Sequence, residues 1–240
     1  MAAMLTCDPT APDPSMAEPS PFLKRPPMPG AEALAAFDAL FVRSLAGGPN
    51  MLIDYALPWP RWQFISHVVE SRQLIAHGSQ DGDIRQFEPR QSHDAHPFGN
   101  RQAVYGASDG LWSMYYAILD RSTHPMLLVN SAARLELEDG LLSDPFYFFS
   151  ISRPALEARA FRPGMLYLLP PSSFEQMPPL ELGGQRAHVP QWASLVAVTP
   201  LARIAVAPED FPFLAEIRGH DDAVILERAK ADPSGFPWLD

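Results

Sequence analysis

The chain has a single cysteine, Cys7, among 240 residues. That excludes an internal disulfide framework and a cysteine-based zinc site. No apolar run approaches the roughly 20 residues that a bilayer-spanning helix needs. The first thirty residues lack a charged start followed by an apolar stretch, so they do not read as a secretory signal. Charge is sparse, at 19% of residues, and the formal net charge is -10. Such a chain disfavours both nucleic acid and anionic membrane as partners, and an anionic ligand would need a local basic pocket. Also missing are a Gly-rich phosphate loop, a G-x-S-x-G elbow and an HExxH pair, which disfavours P-loop and serine-hydrolase chemistry. The default expectation is a cytoplasmic protein.

What is present is a chain of 47% hydrophobic residues, long enough for one domain with a sizeable core. Residues 1–30 are rich in Pro, Ser and Ala and read as a disordered leader. Residues 31–240 read as one α+β domain. Leu34, Phe37, Phe41 and Leu45 share one helix face, and Gly47-Gly48-Pro49 stops that helix. A second helix starts near Pro60, with Trp62, Ile65 and Val69 on one side. It runs into "LIAHGS", which reads as a strand. "QAVYGA" is the next strand, and "SDGLWSMYYAILDR" a helix capped by Ser108 or Asp109, with Leu111, Tyr115 and Ile118 on one side. "PMLLVNS", "DPFYFFSISR", "GMLYLLP", "SLVAVTP" and "ARIAVAP" are further strand candidates, and "DAVILERAKA" a late helix. Neither regular βαβ alternation nor an internal repeat occurs.

The chemistry-bearing residues gather around "HGS" and the strand and helix that follow. His77 and Tyr105 each end a strand and are each followed by a glycine, Gly78 and Gly106, where a ligand can approach the backbone. Ser113 and Tyr116 are three apart on the next helix and project from one face. Two rings, a hydroxyl and a free backbone amide converging on one cleft suit a flat aromatic amide.

"HGS" followed by "AVYGASDGLWSMYYA" resembles the nicotinamide-binding core of the ADP-ribosyltransferase superfamily. The branch it resembles is the histidine–tyrosine–glutamate one, which holds the poly-ADP-ribose polymerases. Ser113 and Tyr116 lie eight and eleven residues after Tyr105, the spacing of that branch. The overall look is also similar to uncharacterised bacterial proteins of comparable length. The resemblance implies an ADP-ribosyltransferase-like split antiparallel β-sandwich with N-terminal helices, and NAD as substrate. It implies that His77 bonds a ribose hydroxyl, with Ser79 beside it. It implies that the Gly78 backbone and the Ser113 hydroxyl hold the carboxamide, and that Tyr105 and Tyr116 sandwich the pyridinium ring. Breaking the nicotinamide–ribose bond passes through an oxocarbenium-like state, which a carboxylate stabilises.

The chain departs from the family at that carboxylate. In "HVPQWASLVAVTP" either Gln191 or Ser194 takes the place of the family's glutamate, and neither offsets a cation. Glu175 and Glu181 substitute only if a loop folds back. The resemblance therefore implies an NAD-dependent transferase or a non-catalytic binder of nicotinamide-like ligands. Its acceptor is not readable. Arg85, Arg90 and Arg101 flank the cleft loops and would suit a pyrophosphate, although ordinary surface charge is the commoner reading. His93 and His96 in "HDAHP" read as a solvated loop rather than a metal site, and His188 as a residue bordering the cleft or packing beside it.

Overall fold

In the computed structural model, residues 20–92, 94, 96–182, 185–232 and 235–238 are described. Packing begins within the stretch expected to be a disordered leader, whose first nineteen residues lie outside the described ones. Phe22 stacks edge-on to Phe146, Leu23 and Met28 pack against the core, and Arg25 pairs with Glu70. The reason is that the few large side chains of residues 20–30 are spaced to reach the body, although the average composition of the segment is poor.

The chain runs through β1 (Leu23–Lys24), α1 (Ala31–Leu45), β2 (Met51–Leu52), α2 (Arg61–Ser71) and β3 (Ile75–Ser79). After β4 (Arg90–Gln91), β5 (Gln102–Ala107) leads directly into α3 (Gly110–Ile118). Then follow β6 (Leu128–Leu135), β7 (Phe146–Ser152), α4 (Arg153–Glu157) and β8 (Gly164–Leu169). The last third holds β9 (Glu175–Gln176), β10 (Leu180–Leu182), β11 (Gln185–His188), β12 (Gln191–Ser194), β13 (Ala202–Val206), β14 (Arg218–His220) and α5 (Asp222–Ala231).

These strands form two sheets, and the molecule is a mixed α+β fold. One sheet has six strands in the order β1-β7-β6-β11-β10, with β14 beside β7. The other has eight, in the order β2-β13-β8-β3-β5-β12-β9, with β4 beside β5. Among the described residues, β2–β13 and β7–β14 are the parallel pairs, and the rest are antiparallel. No described helix is long and apolar enough to cross a membrane.

Helix α3 is the centre of the fold. The Asp109 carboxylate caps it by accepting from the Trp112 N–H at 2.8 Å. Tyr115 reaches the six-stranded sheet, where its hydroxyl donates to the Ser150 carbonyl at 3.1 Å and its ring meets Phe149 at 4.7 Å. The opposite flank lies on β3. Every residue of α3 except Tyr116 is buried, so the one-sided apolar stripe expected from sequence is instead apolar burial almost all round. A helix with a sheet on each side has no solvent face, and Tyr116 is exposed only where the two layers part.

Two further expectations change. In α1 the buried set is Ala33, Phe37, Leu40 and Phe41, while Leu45 sits at the exposed end. In "SLVAVTP" the chain bends after Ser194, leaving Leu195 and Val196 exposed, and the strand is "QWAS" before it. The pairing explains this, since β12 is held by β9 only up to Ala193 and by β5 only up to Ser194.

Candidate functional site

The site is built where the eight-stranded sheet splits. β3 and β5 pair at one position, Ala76 with Ala107, and then part. β3 continues along β8 from Ile75 to Ser79, while β5 continues along β12. Between the diverging strands opens a cleft of about 760 Å³. Its walls include His77, Gly78, Ser79, Tyr105, Ser113, Tyr116 and Gln191. These seven, each singled out from sequence, therefore line one cavity.

The His77 imidazole bridges the gap where backbone pairing ends. Its Nδ1 lies 2.6 Å from the Tyr105 carbonyl, and its ring leans on Phe87 at 4.6 Å. Burial lowers its pKa, and the charge of Arg90 works in the same direction against the carbonyl bond. His77 is accordingly neutral, with the proton on Nδ1 facing the carbonyl, which leaves Nε2 as an acceptor for a ligand hydroxyl.

Tyr105 spends its hydroxyl on its own loop. It donates to the Phe98 carbonyl at 2.9 Å and accepts from the Arg101 N–H at 2.8 Å. The ring face is what remains for a ligand. Tyr116 donates to Asn130 Oδ1 at 2.9 Å, and the Trp112 indole N–H donates to the same oxygen at 2.6 Å. Burial pushes the Tyr116 hydroxyl up to about 12, so it stays protonated at any ordinary pH. The Ser113 hydroxyl donates to the Ala76 carbonyl at 2.9 Å and keeps its lone pairs for an amide N–H.

The two glycines have a packing role beside the one expected. A Cβ at Gly78 would fall 2.0 Å from the Ser113 carbonyl oxygen and 2.6 Å from the Ala117 nitrogen. At Gly106 it would meet Ile75 Cγ2 at 2.4 Å. At both positions the missing Cβ lets helix and strands approach this closely, and both residues also line the cleft.

Of the two candidates for the missing carboxylate position, Gln191 lines the cleft and Ser194 does not. Ser194 is fully buried on the opposite face of β12, where its hydroxyl contacts Ser173 Oγ and the Val196 carbonyl, each at 3.0 Å. Residues three apart on a strand point to opposite faces. Glu175 pairs with Arg101 at 2.5 Å, and Glu181 sits on β10 in the other sheet; neither lines the cleft.

The cleft's charged groups are ones that sequence reasoning passed over. Among the described residues they are Asp94, read only as part of a metal-like motif, and Arg121, read as the end of a helix. Arg85, Arg90 and Arg101 are not among the lining residues, and Arg101 is further held over the Phe98 ring at 4.3 Å. His188 lines a separate cavity of about 610 Å³ and lies 3.1 Å from Glu136. His96 accepts from the Phe98 N–H at 3.2 Å, whereas His93 lies outside the described residues. Among the described residues no group of three His, Cys, Asp or Glu is placed to hold a metal ion.

Arranged in this way, the cleft offers two aromatic faces, a hydroxyl, a neutral imidazole acceptor and a primary amide. Those groups can stack on and hydrogen-bond a planar polar ligand, and Gln191 is an uncharged amide. No family model, curated protein or solved structure matches this chain.

Proposed function

We propose that this cleft binds NAD by its nicotinamide–ribose end, in a fold of the ADP-ribosyltransferase type, and that the protein is an NAD-cleaving ADP-ribosyltransferase-like chain. The observation carrying this reading is that His77, Gly78, Tyr105, Ser113 and Tyr116 share one cleft. The parting of β3 from β5 and the placement of α3 between two sheets are compatible with the split sandwich which that family implies.

A second reading has its own observation. Gln191, one of the two residues that stand for the family's glutamate, lines the cleft, and an amide neither deprotonates an acceptor nor offsets an oxocarbenium charge. On that reading the protein binds nicotinamide or NAD without turning it over. Both readings share one test of binding. Saturation-transfer NMR with free nicotinamide should show contact with the wild-type chain, and Tyr116→Ala should weaken it by removing one stacking face. Equal transfer to the wild type and to a His77→Ala, Tyr116→Ala double variant would remove the nicotinamide reading. Release of nicotinamide from NAD by the wild type then separates transferase from binder.

A further inference from the structure

The cavity of about 610 Å³ lies apart from the cleft, and no described residue lines both. Its size falls within the range of small-molecule sites. Its walls come from β6 and β11 of the six-stranded sheet, from β3 and β12 of the eight-stranded sheet and from the end of α2. Val69, Ile75, Ala132, Leu142 and Trp192 give it a mainly apolar lining.

One guanidinium stands on that lining. Arg134 Nη1 donates to the Ser143 carbonyl at 3.1 Å, and its Nη2 lies 3.5 Å from Glu70 Oε1. Arg25 takes the same oxygen, so one carboxylate faces two guanidinium groups. His188, the cross-strand partner of Arg134, lines the cavity beside it. Its acid is shared in the same way, since Glu136 serves Arg186 at 3.0 Å and His188 at 3.1 Å. Asp109 is the other acid on the wall, and it spends both oxygens on the Trp112 N–H and the Tyr147 hydroxyl. Burial raises its pKa, which works against its negative charge. Arg134 thus has five N–H donors with one described hydrogen bond and one loose ion contact. A chain of formal net charge -10 needs a local basic pocket to hold an anion, and this wall supplies one.

We propose that this cavity is a second ligand site and that it takes a small apolar monocarboxylate. The carboxylate bonds the Arg134 guanidinium, and the hydrocarbon or ring body lies on Val69, Leu142 and Trp192. A phosphate ester is the poorer match, because one guanidinium offsets a single charge and the apolar lining leaves a second one unsolvated. The site does not depend on what the cleft binds.

Calorimetric titration of the full chain with 2-naphthoate, octanoate and 2-naphthamide tests this, the amide having the ring of the first without its charge. The wild type should bind both acids and prefer 2-naphthoate to the amide. Arg134→Gln should weaken the acids by roughly tenfold, the worth of a hydrogen bond to a charged group, and leave the amide unchanged. Arg134→Lys keeps the charge and loses the planar fork, so it should fall between, and it decides the matter if Arg134→Gln does not fold. Leu142→Ala, at an exposed position, should weaken all three ligands by roughly threefold through lost apolar contact. The His77→Ala, Tyr116→Ala double variant should bind all three as the wild type does. No saturable binding of either acid overturns the proposal, as does equal binding of the acids by the wild type and the Arg134 variants. Loss of the acids in the double cleft variant also overturns it, because the carboxylate would then sit in the cleft.

Discussion

At the scale of single residues, the cleft is rich in acceptors and poor in negative charge. His77 presents Nε2, Ser113 its lone pairs and Gln191 a carbonyl, while the His77 and Ser113 protons are already given to the Tyr105 and Ala76 carbonyls. That inventory binds hydroxyl and amide protons well and stabilises a cation weakly. Gln191→Glu adds the missing charge without moving the backbone of β12. Nicotinamide release from NAD should then rise by roughly tenfold, short of the ~100–1000-fold that a well-built oxyanion donor is worth, because the surroundings are not arranged around a charge. Ser194→Glu should give no gain and should lower the unfolding midpoint, because it drives a carboxylate into a fully buried position. A gain in Ser194→Glu and none in Gln191→Glu would reverse the assignment of the two faces.

The identity of these residues was legible in the sequence because strand and helix periodicities are local. Tyr105, Ser113 and Tyr116 sit on adjoining elements, so their spacing carries over into space directly. The facing of Gln191 and Ser194 depended on where β12 begins, which pairing with β5 and β9 decides from residues far away in sequence. Asp94 and Arg121 were missed for a similar reason: both lie in irregular turns, which no periodicity describes.

Among the elements, the close seat of α3 on β3 determines the shape of the site. Gly78 and Gly106 look from sequence like openings for a ligand; they line the cleft, and they are also points of close packing, Gly78 against the backbone of α3 and Gly106 against Ile75 and the Ala76 carbonyl. Sequence alone does not separate the two uses, because both demand only the absence of a Cβ. Gly78→Ala should therefore cost about 3 kcal/mol of stability, the upper end for overpacking, since the atoms it meets are backbone. Gly82→Ala makes the comparison: the nearest atom to its Cβ is the flexible end of Met165 at 3.5 Å, and it should be close to neutral. Chemical denaturation of the two variants side by side checks this, and equal stability would mean that α3 shifts away without cost. The same crowding recurs at Gly164, whose Cβ would lie 1.9 Å from the Ala117 carbonyl oxygen. The helix is wedged against β3 and β8 by missing side chains.

On the scale of the whole molecule, the arm before α1 ties the six-stranded sheet to α2. Lys24 and Leu23 pair with Phe146 and Tyr147 on β7, while Arg25 reaches Glu70 on α2, and Glu70 lies 3.5 Å from Arg134 on β6. The composition of the first thirty residues argues that a chain beginning at Gly30 folds unharmed. The contacts argue otherwise. Loss of the Leu23 and Met28 burial should cost about 3 kcal/mol or more. The thermal midpoint should fall by roughly 6–12 °C for a chain of this size. A scan of the shortened chain showing an unchanged midpoint would mean that the arm rests on the body without stabilising it.

The single pairing of β3 with β5 makes the eight-stranded sheet act as two leaves on a short spine. Spreading the leaves beyond Ala76 and Ala107 undoes no ladder. The described contact to be released there is the His77 clasp on Tyr105, a bond whose net worth is about 1 kcal/mol. Parting the leaves to admit a flat ring would therefore cost that one bond rather than the unfolding of an edge.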